Sequence, residues 1–178
     1  MAEHPLVSII TPSYNQVAFL EQTIQSVLSQ DYRHLEYWVI DGGSTDGSLD
    51  LIKDYAPKLD GWVSEPDQGQ GEAINKGLKR ATGDILAWIN SDDLYRPGAI
   101  KSAVSVFEEN PDVGLVYSDV DSIDEKGIIF NRMTYEQWGL HDLMMFKIIG
   151  QPSVFFRRSI LEQAGTLDTS YHYLLDHH

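Results

Sequence analysis

The chain has 178 residues, 42% of them hydrophobic, which suits one domain with a substantial core. Its net charge of −14 disfavours a nucleic-acid duplex or an anionic lipid surface as the main partner. Cysteine is absent, which excludes disulfides and thiolate metal sites, and no apolar stretch approaches the roughly 18 residues of a membrane span.

Hydrophobic patterning predicts strands and helices that alternate along the chain. Strands are predicted at residues 6–11, 36–41, 61–64, 84–90, 113–118, 128–130 and 153–157. Helices are predicted at residues 17–29, around 49–56, 70–81, around 100–107, 140–149 and 158–164, and the acid-rich residues 119–125 predict turns. This alternation predicts an α/β fold with a mainly parallel central sheet flanked by helices.

Polar clusters follow three of the predicted strands. They lie at residues 11–15, 41–48 and 90–93. Because the carboxyl ends of parallel strands meet at one edge of the sheet, we expect the clusters to converge there. Ligands of α/β sheets bind beyond that edge, so the pattern predicts a binding site.

Two adjacent acids, Asp92 and Asp93, end the apolar run at 84–90. Two carboxylates at one strand tip repel each other unless a cation or a proton lies between them. A hard divalent metal prefers oxygen ligands and often bridges to phosphates, so the pair indicates a metal site. The alternative is a solvated turn in which one of the acids caps the helix after Pro97.

Two further acids lie in glycine-containing loops. Asp41 ends a strand with no adjacent cation, where its carboxylate either accepts a base imide or ribose hydroxyl or organises its own loop. Asp67, in the loop before the third helix, either reads a nucleotide or caps that helix. Neither a Gly-x-Gly-x-x-Gly fingerprint nor a P-loop occurs, which argues against a nicotinamide dinucleotide and a P-loop triphosphate site.

Several motifs, in this order, resemble those of the family-two inverting glycosyltransferases. They are residues 7–15 (VSIITPSYN), 22–30 (QTIQSVLSQ), 41–47 (DGGSTDG), 75–77 (NKG) and 90–93 (NSDD). The resemblance covers nearly the whole chain, and the combination is specific although each motif alone is not. It implies a GT-A-like fold, which is a nucleotide-binding α/β sandwich.

The resemblance implies a role for each matching position. Thr11, Pro12 and Tyr14 would line the base pocket, and Asp41 would bind the base or ribose. Asn90, Ser91 and Asp92 occupy the Asp-x-Asp positions. Asp92 would hold Mn²⁺ or Mg²⁺ against the diphosphate, with Asp93 as its neighbour. Asp176 would be the general base, and residues 151–158 would form the strand beneath the acceptor site. With Asp67 from the loop, the predicted nucleotide-binding residues are Thr11, Pro12, Tyr14, Asp41, Asp67 and Ser91.

Two positions depart from the pattern of the family. Asn90 stands where the first acid of the Asp-x-Asp motif is usual, so metal affinity rests on fewer charges. Gly42 stands where Asp-Asp-Gly-Ser has its second acid. These substitutions weaken the expected metal and ribose contacts respectively.

The resemblance implies a metal-dependent enzyme that moves a sugar from a nucleoside-diphosphate sugar to a saccharide or lipid-linked saccharide acceptor, in cell-surface polysaccharide synthesis. We expect one domain over residues 1–178, with a nucleotide-sugar-binding half at 1–95, an acceptor-side half at 96–178 and a truncated C-terminus. We expect a cytoplasmic location, free or peripheral to the inner face of the membrane. The main alternative is a nucleotide-sugar-binding fragment without turnover, and a nucleotidyltransferase with a related sandwich is a more distant one.

Overall fold

The computed structural model describes residues 4–139, 141, 142, 145 and 147–170. The strands are β1 (Val7–Ser13), β2 (Leu35–Asp41), β3 (Gly61–Ser64), β4 (Ile85–Trp88), β5 (Leu115–Val116), β6 (Val120–Ile123), β7 (Ile129–Met133) and β8 (Phe155–Arg157). The helices are α1 (Val17–Leu28), α2 (Ser48–Tyr55), α3 (Gln70–Leu78), α4 (Ala99–Glu109) and α5 (Arg158–Ala164), with short 3-10 turns at Ala56–Lys58 and Gln151–Ser153.

A six-stranded sheet in the order β3-β2-β1-β4-β8-β5 forms the centre of the fold. Strands β1 to β4 are parallel, whereas β8 runs antiparallel to both of its neighbours, β4 and β5. Helices pack on both faces, so the predicted α/β class with a mainly parallel sheet is confirmed. Strands from both predicted halves of the chain share this sheet, and the division into two functional halves stays a prediction.

The core consists of two apolar layers, one on each face of the sheet. Alternate side chains of β1 separate them, because Ile9 faces one layer and Ile10 the other. The first layer packs against α1, α2 and α4, and the second against α3 and α5. The fully buried strands explain why the sequence shows continuous apolar runs rather than alternation.

Strand β1 extends two residues beyond its predicted end at residue 11 and passes through Pro12. The carbonyl of Ile10 accepts a hydrogen bond from Ile89 N on the β4 side. The carbonyl of Ser13 accepts one from Gly42 N on the β2 side. Pro12 therefore faces the side on which β4 has already ended, where no amide hydrogen is needed. This carries the β1 loop further beyond the sheet edge than the sequence predicted.

The acid-rich residues 119–125, predicted as turns, contain the strand β6, which pairs with β7 in a separate hairpin. Asp121 lies directly opposite Arg132, and the distance from its Oδ1 to Arg132 Nε is 2.7 Å. Such cross-strand ion pairs stabilise a hairpin whose composition alone resembles a loop. The helix predicted over 140–149 falls partly on residues 140, 143, 144 and 146, which lie outside the described residues.

Candidate active site

A cleft of about 840 Å³ lies beyond the carboxyl ends of β1, β2 and β4. The three predicted polar clusters all contribute to it, and the loop between β3 and α3 closes one side. The residues lining it are Pro12, Ser13, Tyr14, Gln16, Gly42, Gly43, Pro66, Asp67, Gln68, Gly69, Gln70, Ala73, Asn90, Ser91 and Asp92. Parallel strands thus bring together side chains that lie as much as 80 residues apart, as at Pro12 and Asp92.

Four of the six predicted nucleotide-binding residues line this cleft, namely Pro12, Tyr14, Asp67 and Ser91. Thr11 does not line it. Its side chain is fully buried in the core, and its hydroxyl lies 2.9 Å from the hydroxyl of Tyr37. Because side chains alternate along β1, Thr11 faces the α1 layer instead of its predicted place in a base pocket.

Asp41 is fully buried beneath the cleft and is occupied by its own surroundings. Its Oδ2 accepts hydrogen bonds from Gly43 N at 3.1 Å, Ser44 N at 3.0 Å and Ser64 Oγ at 2.6 Å, and its Oδ1 accepts from Ser44 Oγ. The geometry therefore supports the loop-organising role. A nucleotide contact from Asp41 stays a prediction and requires exchange of one of these bonds.

At Gly42, any larger residue would require the Asp67 side chain to move. A Cβ at this position would lie 2.8 Å from Asp67 Oδ2, which is closer than real Cβ contacts. An acid in place of Gly42 would also set two carboxylates against each other. Asp67 in turn accepts from Gly69 N at 2.9 Å, so it braces the turn before α3 while it lines the cleft.

The two candidate metal ligands differ in environment. Asp92 is exposed in the cleft, whereas Asp93 is half-buried next to it. Burial, followed by the negative charge of Asp92, raises the pKa of Asp93 to about 6, and the hydrogen bond from Asn90 opposes this. The two acids therefore repel each other, as adjacent carboxylates do without a cation or proton between them.

The departure at Asn90 also has a local cause. Its Nδ2 donates to Asp93 Oδ2 at 3.1 Å and to Gln151 Oε1 at 3.3 Å, and its Oδ1 accepts from Gln70 Nε2 at 2.5 Å. Gln151 continues the network by donating to the carbonyl of Trp88 at 3.0 Å. An amide suits this position because one side of it faces two acceptors, which an ionised aspartate would repel.

Oxygen ligands of this kind suit a hard divalent cation. Within the described part of the chain, no group of three or more His, Asp or Glu side chains is arranged to hold a metal ion. Asp92 and Asp93 fit such an ion only as part of a shell that a ligand and water complete. A diphosphate in the adjoining cleft would supply the remaining oxygen atoms.

Two side chains that build this site have no role predicted from the sequence. Thr23 on α1 lies with its Oγ1 2.9 Å from the carbonyls of Ser91 and Asp93, and so fixes the acidic turn. Its signal was a polar residue on the apolar face of the helix, between Leu20 and Val27. Ser13 is 4% exposed, and its Oγ has no hydrogen-bond partner among the described residues.

Comparison with known proteins identifies the family. The profile described as glycosyl transferase family 2 matches residues 8–165. The chain belongs to this family.

Three proteins illustrate what the chain is similar to. A PGL/p-HBAD biosynthesis glycosyltransferase of Mycobacterium tuberculosis is 31% identical over 97% of this chain and 67% of its own length. An uncharacterised glycosyltransferase of Nostoc sp. is 36% identical over 66% of this chain and 37% of its own. The structure of the mannosyltransferase PcManGT from Pyrobaculum calidifontis, in complex with GDP-Man and Mn²⁺, superposes with a TM-score of 0.73 at 27% identity, over 94% of this chain and 49% of that one.

The chain thus spans between about two fifths and two thirds of the length of these relatives. Family membership and the superposition confirm the resemblance and the GT-A-like fold predicted from the motifs. The predicted general base of this family 2 domain, Asp176, lies outside the described residues. In the described part of the chain, every helix is too short or too polar to cross a bilayer.

Proposed function

We propose that the chain carries the donor site of an inverting glycosyltransferase, which transfers a sugar from a nucleoside-diphosphate sugar to an acceptor hydroxyl. The observation that carries this proposal is the cleft at the carboxyl edge of the sheet, which Tyr14, the loop at 66–70 and Asp92 line together. Ligands of parallel α/β sheets bind at this edge. The exposed ring of Tyr14 offers a flat apolar surface against which a base stacks.

The comparison with PcManGT supports both the ligand and the metal, because that structure holds GDP-Man and Mn²⁺. We therefore propose Mn²⁺ or Mg²⁺ as the cofactor, held by Asp92 with Asp93 beside it. When bound, such a cation neutralises the charge that develops on the leaving diphosphate. The residues of the chain then have the tasks of binding the nucleotide, orienting the two acids and holding the proton acceptor.

The transfer is a single displacement. The acceptor oxygen forms a bond to the anomeric carbon while the bond from that carbon to the diphosphate oxygen breaks, so the configuration inverts. The proton of the acceptor hydroxyl passes to a general base, for which Asp176 is the candidate from the family pattern. We propose that this reaction serves the assembly of cell-surface polysaccharide or glycolipid. The donor would be used in the cytoplasm or at the inner face of the membrane.

Calorimetry with GDP and UDP, in the presence of Mn²⁺ or of EDTA, tests the donor site. We expect at least one nucleotide to bind more tightly with Mn²⁺, and Asp92→Ala to abolish this metal dependence because it removes the exposed ligand. Asp54→Asn, an exposed acid on α2, serves as a control and should leave it unchanged. Equal affinity with and without the metal in the wild-type chain would contradict the proposal.

A second measurement separates transfer from binding alone. Release of nucleoside diphosphate from a donor sugar is expected only if the chain turns over, and Asp176→Asn should keep donor affinity while it loses release. Wild-type turnover in Asp176→Asn would exclude this residue as the base. Tight donor binding without any release would favour the alternative of a nucleotide-sugar-binding module.

A further inference from the structure

A second cleft, of about 630 Å³, lies between α4 and the β6–β7 hairpin. It meets the first cleft at Asp92, which lines both, and Asp93 lines the second cleft as well. The two clefts therefore open on either side of the candidate metal ligand. A molecule in the second cleft would therefore lie beside Asp92, next to a ligand in the first cleft.

Aliphatic side chains form opposite walls of this second cleft. Val106 on α4 is 38% exposed, and on the hairpin Ile123 and Ile129, which are register partners, are 40% and 47% exposed. Half-exposed aliphatic residues that face a concave space are typical of sites for apolar ligands. Polar residues, among them Asp92 and Asp93, line the same cleft, so its lining is amphipathic.

The charges of the second cleft disfavour an anionic ligand. Among the described residues that line it, Arg96 is the basic one, while Asp92, Asp93, Asp119 and Asp121 are acidic. Arg96 is already paired with Asp121. Even with a divalent cation held at Asp92, an added phosphate or carboxylate would meet surplus negative charge and no unpaired cationic side chain among these lining residues.

We propose that this cleft binds the acceptor, and that the acceptor is a neutral amphiphile with an alkyl or aryl portion and a hydroxyl group. The apolar portion lies between Val106 and the Ile123–Ile129 pair, and the hydroxyl lies at the Asp92 end. This inference rests on the proposed function, because it assigns the acceptor class for the same reaction. In this proposal the hairpin forms one wall of the acceptor site. The ion pair between Arg96 and Asp121 holds the hairpin opposite α4.

Titration of the ¹⁵N-labelled chain with alkyl β-glucosides from butyl to octyl, below their micelle concentrations, tests the proposal. Each methylene that becomes fully buried is worth about a fourfold gain in affinity. We expect the dissociation constant to fall by roughly tenfold or more across the series. The amide shifts should lie on α4 and the hairpin.

Ile129→Ser and Ile128→Ser form a matched pair of variants. Both remove the same exposed side chain from the hairpin, but Ile129 lines the cleft whereas Ile128, 60% exposed, is not among its lining residues. We expect Ile129→Ser to weaken octyl glucoside binding by about fivefold or more, as the loss of one or two buried methylenes does, and Ile128→Ser to leave it unchanged.

Three outcomes would overturn the proposal. They are an affinity that does not depend on chain length, amide shifts away from α4 and the hairpin, and equal losses in the two variants. Sedimentation that reveals a dimer broken by Ile129→Ser would also overturn it, because a second copy would then cover the cleft. GDP and UDP binding with Mn²⁺, measured on the same samples, reports on the donor site separately.

Discussion

At the residue scale, the ionisation of Asp93 links the candidate metal site to the stability of the fold. Its pKa of about 6 lies above the ordinary value of 3.8, so protons bind more tightly to the folded chain. Protonation of Asp93 therefore stabilises the fold. This stabilisation is fully present below about pH 4, is lost as the pH rises through 6, and amounts to at most about 3 kcal/mol.

We therefore expect Asp93→Asn to change how the stability of the metal-free chain depends on pH. In the wild type, Asp93 becomes protonated as the pH falls from 7.5 to 5, and the free energy of unfolding should rise. Asp93→Asn should lack this rise. Urea unfolding at the two pH values measures this difference, with Asp54→Asn as the control. If the wild type and Asp93→Asn shift equally with pH, Asp93 does not carry the perturbed pKa.

Ser13 offers a second prediction at this scale. Ser13 lines the proposed donor cleft, and its buried hydroxyl has no hydrogen-bond partner among the described residues. Removal of an unsatisfied hydroxyl costs the fold little, whereas removal of a hydrogen bond to a ligand costs about 1 kcal/mol. We expect Ser13→Ala to keep or raise the melting temperature and to weaken nucleotide binding by about fivefold.

Ser8→Ala is the matched control on the same strand. The Ser8 hydroxyl bonds to Glu36 and accepts from Gly83 N at 2.8 Å, so its loss should destabilise the fold without a change in nucleotide affinity. If Ser13→Ala instead behaved like Ser8→Ala, with lower stability and unchanged affinity, Ser13 would be structural only.

At the scale of elements, α1 positions the acidic turn through Thr23. Thr23→Val keeps the shape but leaves the carbonyls of Ser91 and Asp93 without this donor. We expect a loss of stability of about 1–2 kcal/mol and weaker Mn²⁺-dependent nucleotide binding, measured by urea unfolding and calorimetry. Thr23→Ser, which keeps the hydroxyl, should retain both the wild-type stability and the wild-type Mn²⁺-dependent binding. A serine variant as impaired as the valine variant would attribute the effect to packing of the methyl group.

The elements also show which parts of the fold the sequence predicts. Apolar runs located β1, β2 and β4, because buried parallel strands depend on their own composition. The end of β1 was wrong because it depends on where β4 stops, which Pro12 itself does not reveal. Strand β6 was not predicted because a run rich in acids is typical of a turn. Only the structure shows that Arg132 lies opposite Asp121 and pairs with it.

The same distinction applies to the site. Convergence of Tyr14 and Asp92 follows from parallel strand order, so the sequence predicted it. The network around Asn90 depends on Gln70 and Gln151, which are 20 and 61 residues away in sequence, and no local pattern predicts those contacts. The burial of Thr11 and Asp41 likewise depends on neighbouring strands.

At the scale of the whole molecule, the proposed nucleoside-diphosphate ligand has to bind a negatively charged chain. The net charge of −14 repels a nucleoside diphosphate at long range, and salt reduces this repulsion. A bound cation reverses the sign locally, since the charge of an ion dominates its own site. The proposed cation would therefore allow the proposed donor site to bind a diphosphate in an acidic chain.

The position of β8 has a consequence for the order in which the chain folds. This strand is the last along the described chain, yet it lies between β4 and β5 rather than at an edge of the sheet. During synthesis, β5 has no partner in the sheet and β4 keeps an open, aggregation-prone side until residue 157 has left the ribosome. The site-forming strands β1 to β4 are therefore able to pair early, while the flank that supports the second cleft closes late.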